Sequence, residues 1–457
     1  MAAQKSTQQL GKDLTTGPIT PILLGYAVPI ILSTAVQQLY SMVDLMIIGK
    51  FVGSVGTVAV STGGEMSDLM TPVATAVAMG GQILIAQLAG SRQWERVKTS
   101  VQTMITLCLA FSIVITLAVL ILHRPILSAL NCPEEAFDEA AQYLIITTIG
   151  MPFVFGYNAI CAALRGMGES KRPLIFILIA ATINIFLDLL LVVVIPLEAA
   201  GTAIATVMSQ IGAFAASFYY FYRMREAVGF ELSLRYLRIH TRDAAVILRL
   251  SIPQLIRTFC VQGSMLWIKS GVNAYGLIVS STYSVGNKIE KFVQLFITGI
   301  DQAGGTVLGQ NIGAGRHDRV QATMGRMVVF SLAFAVIGAV LFLVFPSQLY
   351  SIFTNDEEVI AYGATFLRII AVGCFVMALA SPMKAIVTGA GEALLSLILG
   401  VLDGVMRIVV ALIALYVFQL GAESYFWGSA FCMAVPGIIS AVYYFSGKWK
   451  TKRLVDE

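Results

Sequence analysis

Residues 100–122 read SVQTMITLCLAFSIVITLAVLIL, an unbroken run without a charged side chain. Wound as an α-helix at about 1.5 Å per residue, the run reaches about 34 Å. That is enough to cross a hydrocarbon layer of roughly 30 Å. Similar segments recur along the chain, near 20–48, 54–80, 139–163, 174–195, 200–222, 246–270, 275–302, 322–345, 360–383, 394–418 and 425–446. With the first they make twelve candidate spans. Helices are required, because an unpaired backbone group in lipid costs several kcal/mol. A β-barrel needs alternating segments of about 10 residues, and these runs do not alternate. Composition agrees: 57% of residues are apolar and 12% charged, and the mean hydropathy is +0.82. Such a chain is not a nucleic-acid binder, a disordered protein or a secreted disulfide scaffold. The polar first 17 residues precede an apolar run far longer than a signal core, so no cleavable signal peptide is expected.

Basic residues set the orientation. With the N-terminus inside, 22 of the 30 Lys and Arg fall in the tails and even-numbered connections, Arg92, Arg96, Lys98, Lys171, Arg172, Arg316, Arg319 and Lys384 among them. Glu134, Glu135, Asp138, Asp356, Glu357 and Glu358 fall in outer loops. Both termini are therefore expected in the cytoplasm. The six cysteines form no Cys-x-x-Cys pair, and no disulfide or metal site is expected.

The chain also repeats itself at an offset of 223 residues. Gly81 meets Gly304, Gln87 meets Gln310 and Gly90 meets Gly313. Glu134-Glu135 meets Glu357-Glu358, and Gly166, Gly168 and Glu169 meet Gly389, Gly391 and Glu392. Chance matching of apolar sequence would not hold Gly, Gln and Glu in one register. The fold expected is an all-α integral membrane protein, twelve transmembrane helices in two six-helix bundles. Six spans per repeat give the halves parallel topology about a pseudo-twofold along the membrane normal. The halves are 1–222 and 246–457, joined by a cytoplasmic linker, 223–245. Phe230, Leu232, Leu234, Leu237 and Ile239 among the linker's arginines read either as an interfacial helix or as a plain basic connection.

An ionisable side chain inside a span is a functional candidate, since burying it in hydrocarbon costs at least about 2.5 kcal/mol. Asp44 lies in span 1, and Asn184 and Asp188 in span 5 are four residues apart on one helix face. Thr206 reaches a similar depth in span 6. This oxygen set suits a sodium ion or a shared proton. The offset maps Asp44 to Trp267, and the aligned second half has Arg407 and Ala411 for Asn184 and Asp188, so the site has no counterpart there. In span 2, Glu65 and Asp68 meet Lys288 and Lys291 of span 8, a candidate gate across a cleft; local pairing of either lysine with Glu290 is the plainer alternative. Asp403 and Arg407 are expected to pair with each other. Pro29, Pro72, Pro152, Pro253, Pro382 and Pro436 interrupt spans, and Pro29 marks a fixed kink or a hinge on the helix that carries Asp44.

The pattern resembles the multidrug and toxic compound extrusion family over essentially the whole chain. The resemblance rests on the six-plus-six repeat, Val43-Asp44, Gln87-Leu-Ala-Gly90, Gln310-Asn-Ile-Gly313 and Arg165-Gly-Met-Gly-Glu169. Asp44 with Asn184 and Asp188 is similar to the bacterial branch named for DNA-damage-inducible protein F. The resemblance implies that Asp44, Asn184, Asp188 and Thr206 bind the coupling H⁺ or Na⁺, with Pro29 as the bending proline. It further implies export of small lipophilic organic cations and drugs from a bacterial inner membrane, in exchange for that ion and with no other cofactor. Other branches carry an acid in span 7, and here 246–270 has none. A flippase for lipid-linked saccharides of the same superfamily is the alternative. The chain lacks His-Glu-x-x-His, Gly-x-Ser-x-Gly and a Walker A loop, so no enzyme is expected. The expected partners are substrate and membrane lipid, with no nucleic acid, and a closed two-lobe bundle needs no second copy to form its cleft.

Overall fold

The computed structural model describes residues 12–130, 132–223, 239–452 and 454–456, except the side chains of 45, 53–57, 65–68 and 456. The described residues form helices and turns, with no strand among them. In chain order the helices are α1 (Ile19–Phe51), α2 (Gly53–Gly90), α3 (Trp94–Ala129), α4 (Phe137–Ile149), α5 (Met151–Gly166), α6 (Lys171–Asp188) and α7 (Glu198–Arg223). The second half holds α8 (Thr241–Asn273), α9 (Leu277–Gly313), α10 (His317–Val344), α11 (Pro346–Ser351), α12 (Glu357–Gly389), α13 (Ala393–Tyr416), α14 (Glu423–Phe431) and α15 (Ala434–Phe445). Among the described residues ten spans are long and apolar enough to cross a membrane, and the bent pair 134–149 and 151–166 makes an eleventh. The twelfth is α9, 37 residues long, whose Lys288, Glu290, Lys291 and Asp301 lower its hydropathy. The chain is thus an all-α membrane protein of twelve spans.

Two spans depart from simple rods. The fourth bends by 41° between α4 and α5. Pro152, in the first turn of α5, has no N–H to bond across the break at Gly150. The fifth passes at Asp188 into one wide π-helical turn, Leu189–Val194. Pro436 likewise falls in the first turn of α15. Pro29, Pro72, Pro253 and Pro382 do not interrupt their spans: each lies inside a continuous helix. On the expected outer side, Asp356 caps α12, its carboxylate accepting from the N–H groups of Glu358 (3.0 Å) and Val359 (3.3 Å).

The chain divides into two compact units, one of residues 1–13, 32–85 and 93–251, the other of 14–31, 86–92 and 252–457. Helix α1 therefore starts in one unit and ends in the other, changing over between Ile31 and Leu32. In the linker, residues 224–238 lie outside the described residues, and with them most of the candidate interfacial helix. Beyond it, Asp243 is fixed in the first unit by Arg96 (3.2 Å) and Thr99 (2.8 Å).

The repeat is visible within each unit. A Cβ on Gly81 would meet Met104 Sδ at 2.1 Å, and one on Gly304 would meet Met327 Sδ at 2.2 Å, the same contact 223 residues on. Gly168 and Gly391 both take positive φ, 87° and 77°, where a side chain would be strained. Each closes a helix with the same pair of bonds: Gly168 N to Arg165 O and Glu169 N to Leu164 O, Gly391 N to Thr388 O and Glu392 N to Val387 O.

Inside the second unit the Gln-Leu-Ala-Gly and Gln-Asn-Ile-Gly motifs cross reciprocally. Cβ atoms on Gly90 and Gly313 would fall 1.9 Å from Gln310 O and 2.0 Å from Gln87 O. Each motif glutamine also holds a chain terminus. Gln310 Oε1 accepts from Leu14 N (3.1 Å). Gln87 Oε1 accepts from Leu454 N (2.8 Å), while its Nε2 donates to Gly389 O (2.8 Å). Leu14, Trp449 and Leu454 are buried beside these bonds. Replacing Gln87 by Leu strands one buried donor and one acceptor, at about 1–3 kcal/mol each. The expected result is that limited proteolysis cuts 448–457 faster in Gln87→Leu than in the wild type; equal rates would deny the glutamine this anchoring role.

Candidate ion-coupling site

The polar residues of spans 1 and 5 lie between two apolar clusters of the first unit. On one side Val36 and Tyr40 of α1 pack with Leu174, Ile177 and Ala180 of α6 and Ala213 of α7. On the other, Val43, Ile47 and Ile48 pack with Val192, Ala199 and Ala203. Asp44, Asn184 and Asp188 occupy the layer between them. Asp188 is 0% exposed and Asn184 2%, with Asp44 half-buried. Among the described residues no N–H or hydroxyl donates to either oxygen of Asp188 or to Oδ1 of Asn184. The group facing Asp188 is the carboxyl of Asp44. The π-helical turn begins at the next residue, widening the helix where it carries this acid. Thr206 sits half-buried on α7 between Ala203 and Ala213, and its hydroxyl hydrogen-bonds neither acid. Pro29 is buried in α1, two residues before the changeover between units.

Two carboxyls facing one another in apolar surroundings do not both hold a charge unless a cation lies between them. A proton shared by the pair satisfies this, and so does a sodium ion ligated by their oxygens and the Asn184 carbonyl. Those donors are hard oxygens that suit an alkali cation. Among the described residues no base forms an ion pair with Asp188.

The candidate gate residues fare differently. The side chains of Glu65 and Asp68 lie outside the described residues. Lys288 and Lys291 are exposed on α9 and form no ion pair among the described residues. Glu290 accepts a hydrogen bond from Gln294 rather than pairing with either lysine.

The second unit holds a buried charge cluster that span reading misplaces. Lys384 belongs to α12, not to a cytoplasmic connection, and its Nζ lies 2.8 Å from Asp403 Oδ2, with side chains 8% and 3% exposed. Asp403 therefore pairs with Lys384 and not with Arg407, four residues along its own helix. The geometry explains the change: an ammonium from a packed neighbouring helix reaches the carboxylate directly, while Arg407 Nε finds no partner. Arg257 and Arg407 also act electrostatically on Asp403. The hydrophobic character of 360–383 hid this, because Lys384 stands one residue past its end. Lys384→Met leaves a buried carboxylate without its ammonium, at a cost of about 3 kcal/mol, the low end for a broken buried pair because both arginines remain near. The double change Lys384→Met/Asp403→Leu should recover most of that loss in thermal unfolding; an additive double mutant would contradict the pairing.

Comparison with known proteins places these features in a family. The MatE profile matches residues 29–190 and 253–413, one match in each repeat. The probable multidrug resistance protein YpnP of Bacillus subtilis is 28% identical over 97% of this chain and 99% of its own. The probable multidrug resistance protein NorM of Thermotoga maritima is 23% identical over 95% and 94%. A solved transporter of the MOP superfamily from Pyrococcus furiosus shares the fold with a TM-score of 0.88, at 20% identity over 97% of this chain and 98% of that one. With both repeats matched, the chain belongs to the MatE family of membrane transporters.

Proposed function

We propose that this protein is a secondary active exporter of small lipophilic compounds, organic cations among them, driven by inward movement of H⁺ or Na⁺. Family membership supports efflux, and relatives over nearly the full length are named multidrug resistance proteins. The observation that carries the coupling mode is the Asp44–Asp188 carboxyl pair, in which Asp188 is buried, with Asn184 beside it. In this reading the pair takes up the ion from outside. Neutralising its remaining charge lets α1 and α6 repack around the π-helical turn. Because α1 continues into the other unit just past Pro29, that repacking reaches the segment 14–31 through the helix itself. The bound compound leaves, and the emptied carrier turns back to the cytoplasm. Thr206 has its place in this scheme as a further oxygen on α7, brought to the ion only when the site is loaded. The protein acts as a single chain in a bacterial plasma membrane, with both termini cytoplasmic.

The test is transport of ethidium by the purified protein in proteoliposomes under imposed H⁺ or Na⁺ gradients. Uptake accelerated by one gradient and abolished by its ionophore is expected. Uptake indifferent to both would overturn the antiport reading.

A further inference from the structure

The second unit carries cations where hydrocarbon does not tolerate them. Lys288 and Lys291 are exposed on α9, and with Ser284, also exposed, they follow the i, i+4, i+7 spacing of one helix face. The helix begins at Leu277, so Lys288 and Lys291 lie about 16 and 21 Å along it, near the middle of a layer roughly 30 Å thick. A lysine stem reaches about 6 Å, so neither ammonium snorkels to a membrane surface. Facing lipid at this depth would cost at least about 2.5 kcal/mol per charge. The exposed strip therefore lines a water-filled space. Glu290 is bonded to Gln294, and although it acts electrostatically with Lys291 it forms an ion pair with neither lysine among the described residues. Phe292 and Phe296 flank the lysines, each 40% exposed. Phe296 is held in place by stacking on Phe334, with ring centroids 5.0 Å apart. Two ammonium groups, a hydroxyl and an aromatic border form a surface complementary to an aromatic molecule bearing a carboxylate, sulfonate or phosphate.

We infer that the Ser284–Lys288–Lys291 face of α9 binds the anionic group of an aromatic substrate, so that zwitterions and organic anions are carried as well as cations. This rests on the exporter reading and assigns a substrate class to it. The aligned first-half positions, Glu65 and Asp68, are acids, so the anion site is confined to one repeat.

Fluorescence anisotropy of carboxyfluorescein and of ethidium with the purified full chain tests the inference. Carboxyfluorescein should bind the wild type. Lys288→Gln/Lys291→Gln should weaken it about tenfold. Lys288→Arg/Lys291→Arg should retain it, and ethidium, bound by all three, reports that each is folded. A wild type that does not bind carboxyfluorescein, or a Gln pair that binds it equally well, would overturn the proposal. So would a gate: restored ethidium transport when Glu65→Lys/Asp68→Lys is combined with Lys288→Glu/Lys291→Glu, each half alone being inactive. Binding is read without any gradient. Lost ethidium transport in the wild type would thus overturn the exporter reading and leave the anion result standing.

Discussion

Asp188→Asn should reduce gradient-driven efflux about a hundredfold, the upper end of the coupling free energies that link two ligands. The amide keeps the volume and removes the charge that an incoming ion neutralises, so the ion no longer acts on one state more than another. The substitution should not unfold the protein, because the amide keeps a hydrogen-bonding group facing Asp44 in place of the carboxyl. Substrate binding in detergent should therefore survive while accumulation against a gradient does not. Asp44→Asn should behave alike, and the double variant should be no worse than either single one, since the two acids act as one site. Full efflux by Asp188→Asn, measured in everted vesicles at matched expression, would remove the pair from the mechanism.

Gly90→Ala and Gly313→Ala should each destabilise the protein by about 3 kcal/mol, the cost of forcing an extra methyl into a packed interior with little room to relax. The atoms in the way are backbone, Gln310 O and Gln87 O, and moving either also disturbs the bonds that hold a chain terminus. Gly325 supplies the control. It lies inside α10 with nothing within 4 Å of an added Cβ. Gly325→Ala should leave stability unchanged or raise it by about 0.5–1 kcal/mol through lost backbone entropy in the unfolded chain. If Gly90→Ala melts with Gly325→Ala, the reciprocal crossing is not what keeps these glycines small.

The twelve spans were legible because apolar runs near 20 residues have only one use in a chain this poor in charge. The duplication was legible because it repeats contacts rather than composition: Gly81 with Met104 and Gly304 with Met327 are one packing solution used twice. Asp44, Asn184 and Asp188 stood out as polar residues in apolar helices, and the structure sets half-buried Asp44 against the buried Asp188. Other features left no such mark. The π-helical turn after Asp188 is written in Leu-Leu-Leu-Val-Val-Val, which reads equally well as α-helix. Lys384 looked like a loop cation because it ends the apolar run at Met383, although the helix continues through Ala385, Ile386 and Val387 to Gly389. Asp403 was assigned to Arg407 because spacing along one helix is visible in a sequence, whereas an ammonium arriving from another helix is not. The tails hid for a different reason. Leu14 and the pair Leu454-Val455 are isolated apolar spots in polar stretches, and the backbone of Leu14 and Leu454 is held by glutamines about 300 and 370 positions away in sequence.

Ion movement driven by substrate tests the coupling claim most directly. Proteoliposomes are loaded with ethidium at equal pH and equal Na⁺ on both sides, and the ion that moves against the outflowing compound is followed with a pH-sensitive dye or with radioactive sodium. The account predicts H⁺ or Na⁺ uptake into the vesicles in step with ethidium loss, abolished in Asp188→Asn. Ethidium loss with no ion movement, or ion movement that persists in Asp188→Asn, would contradict it.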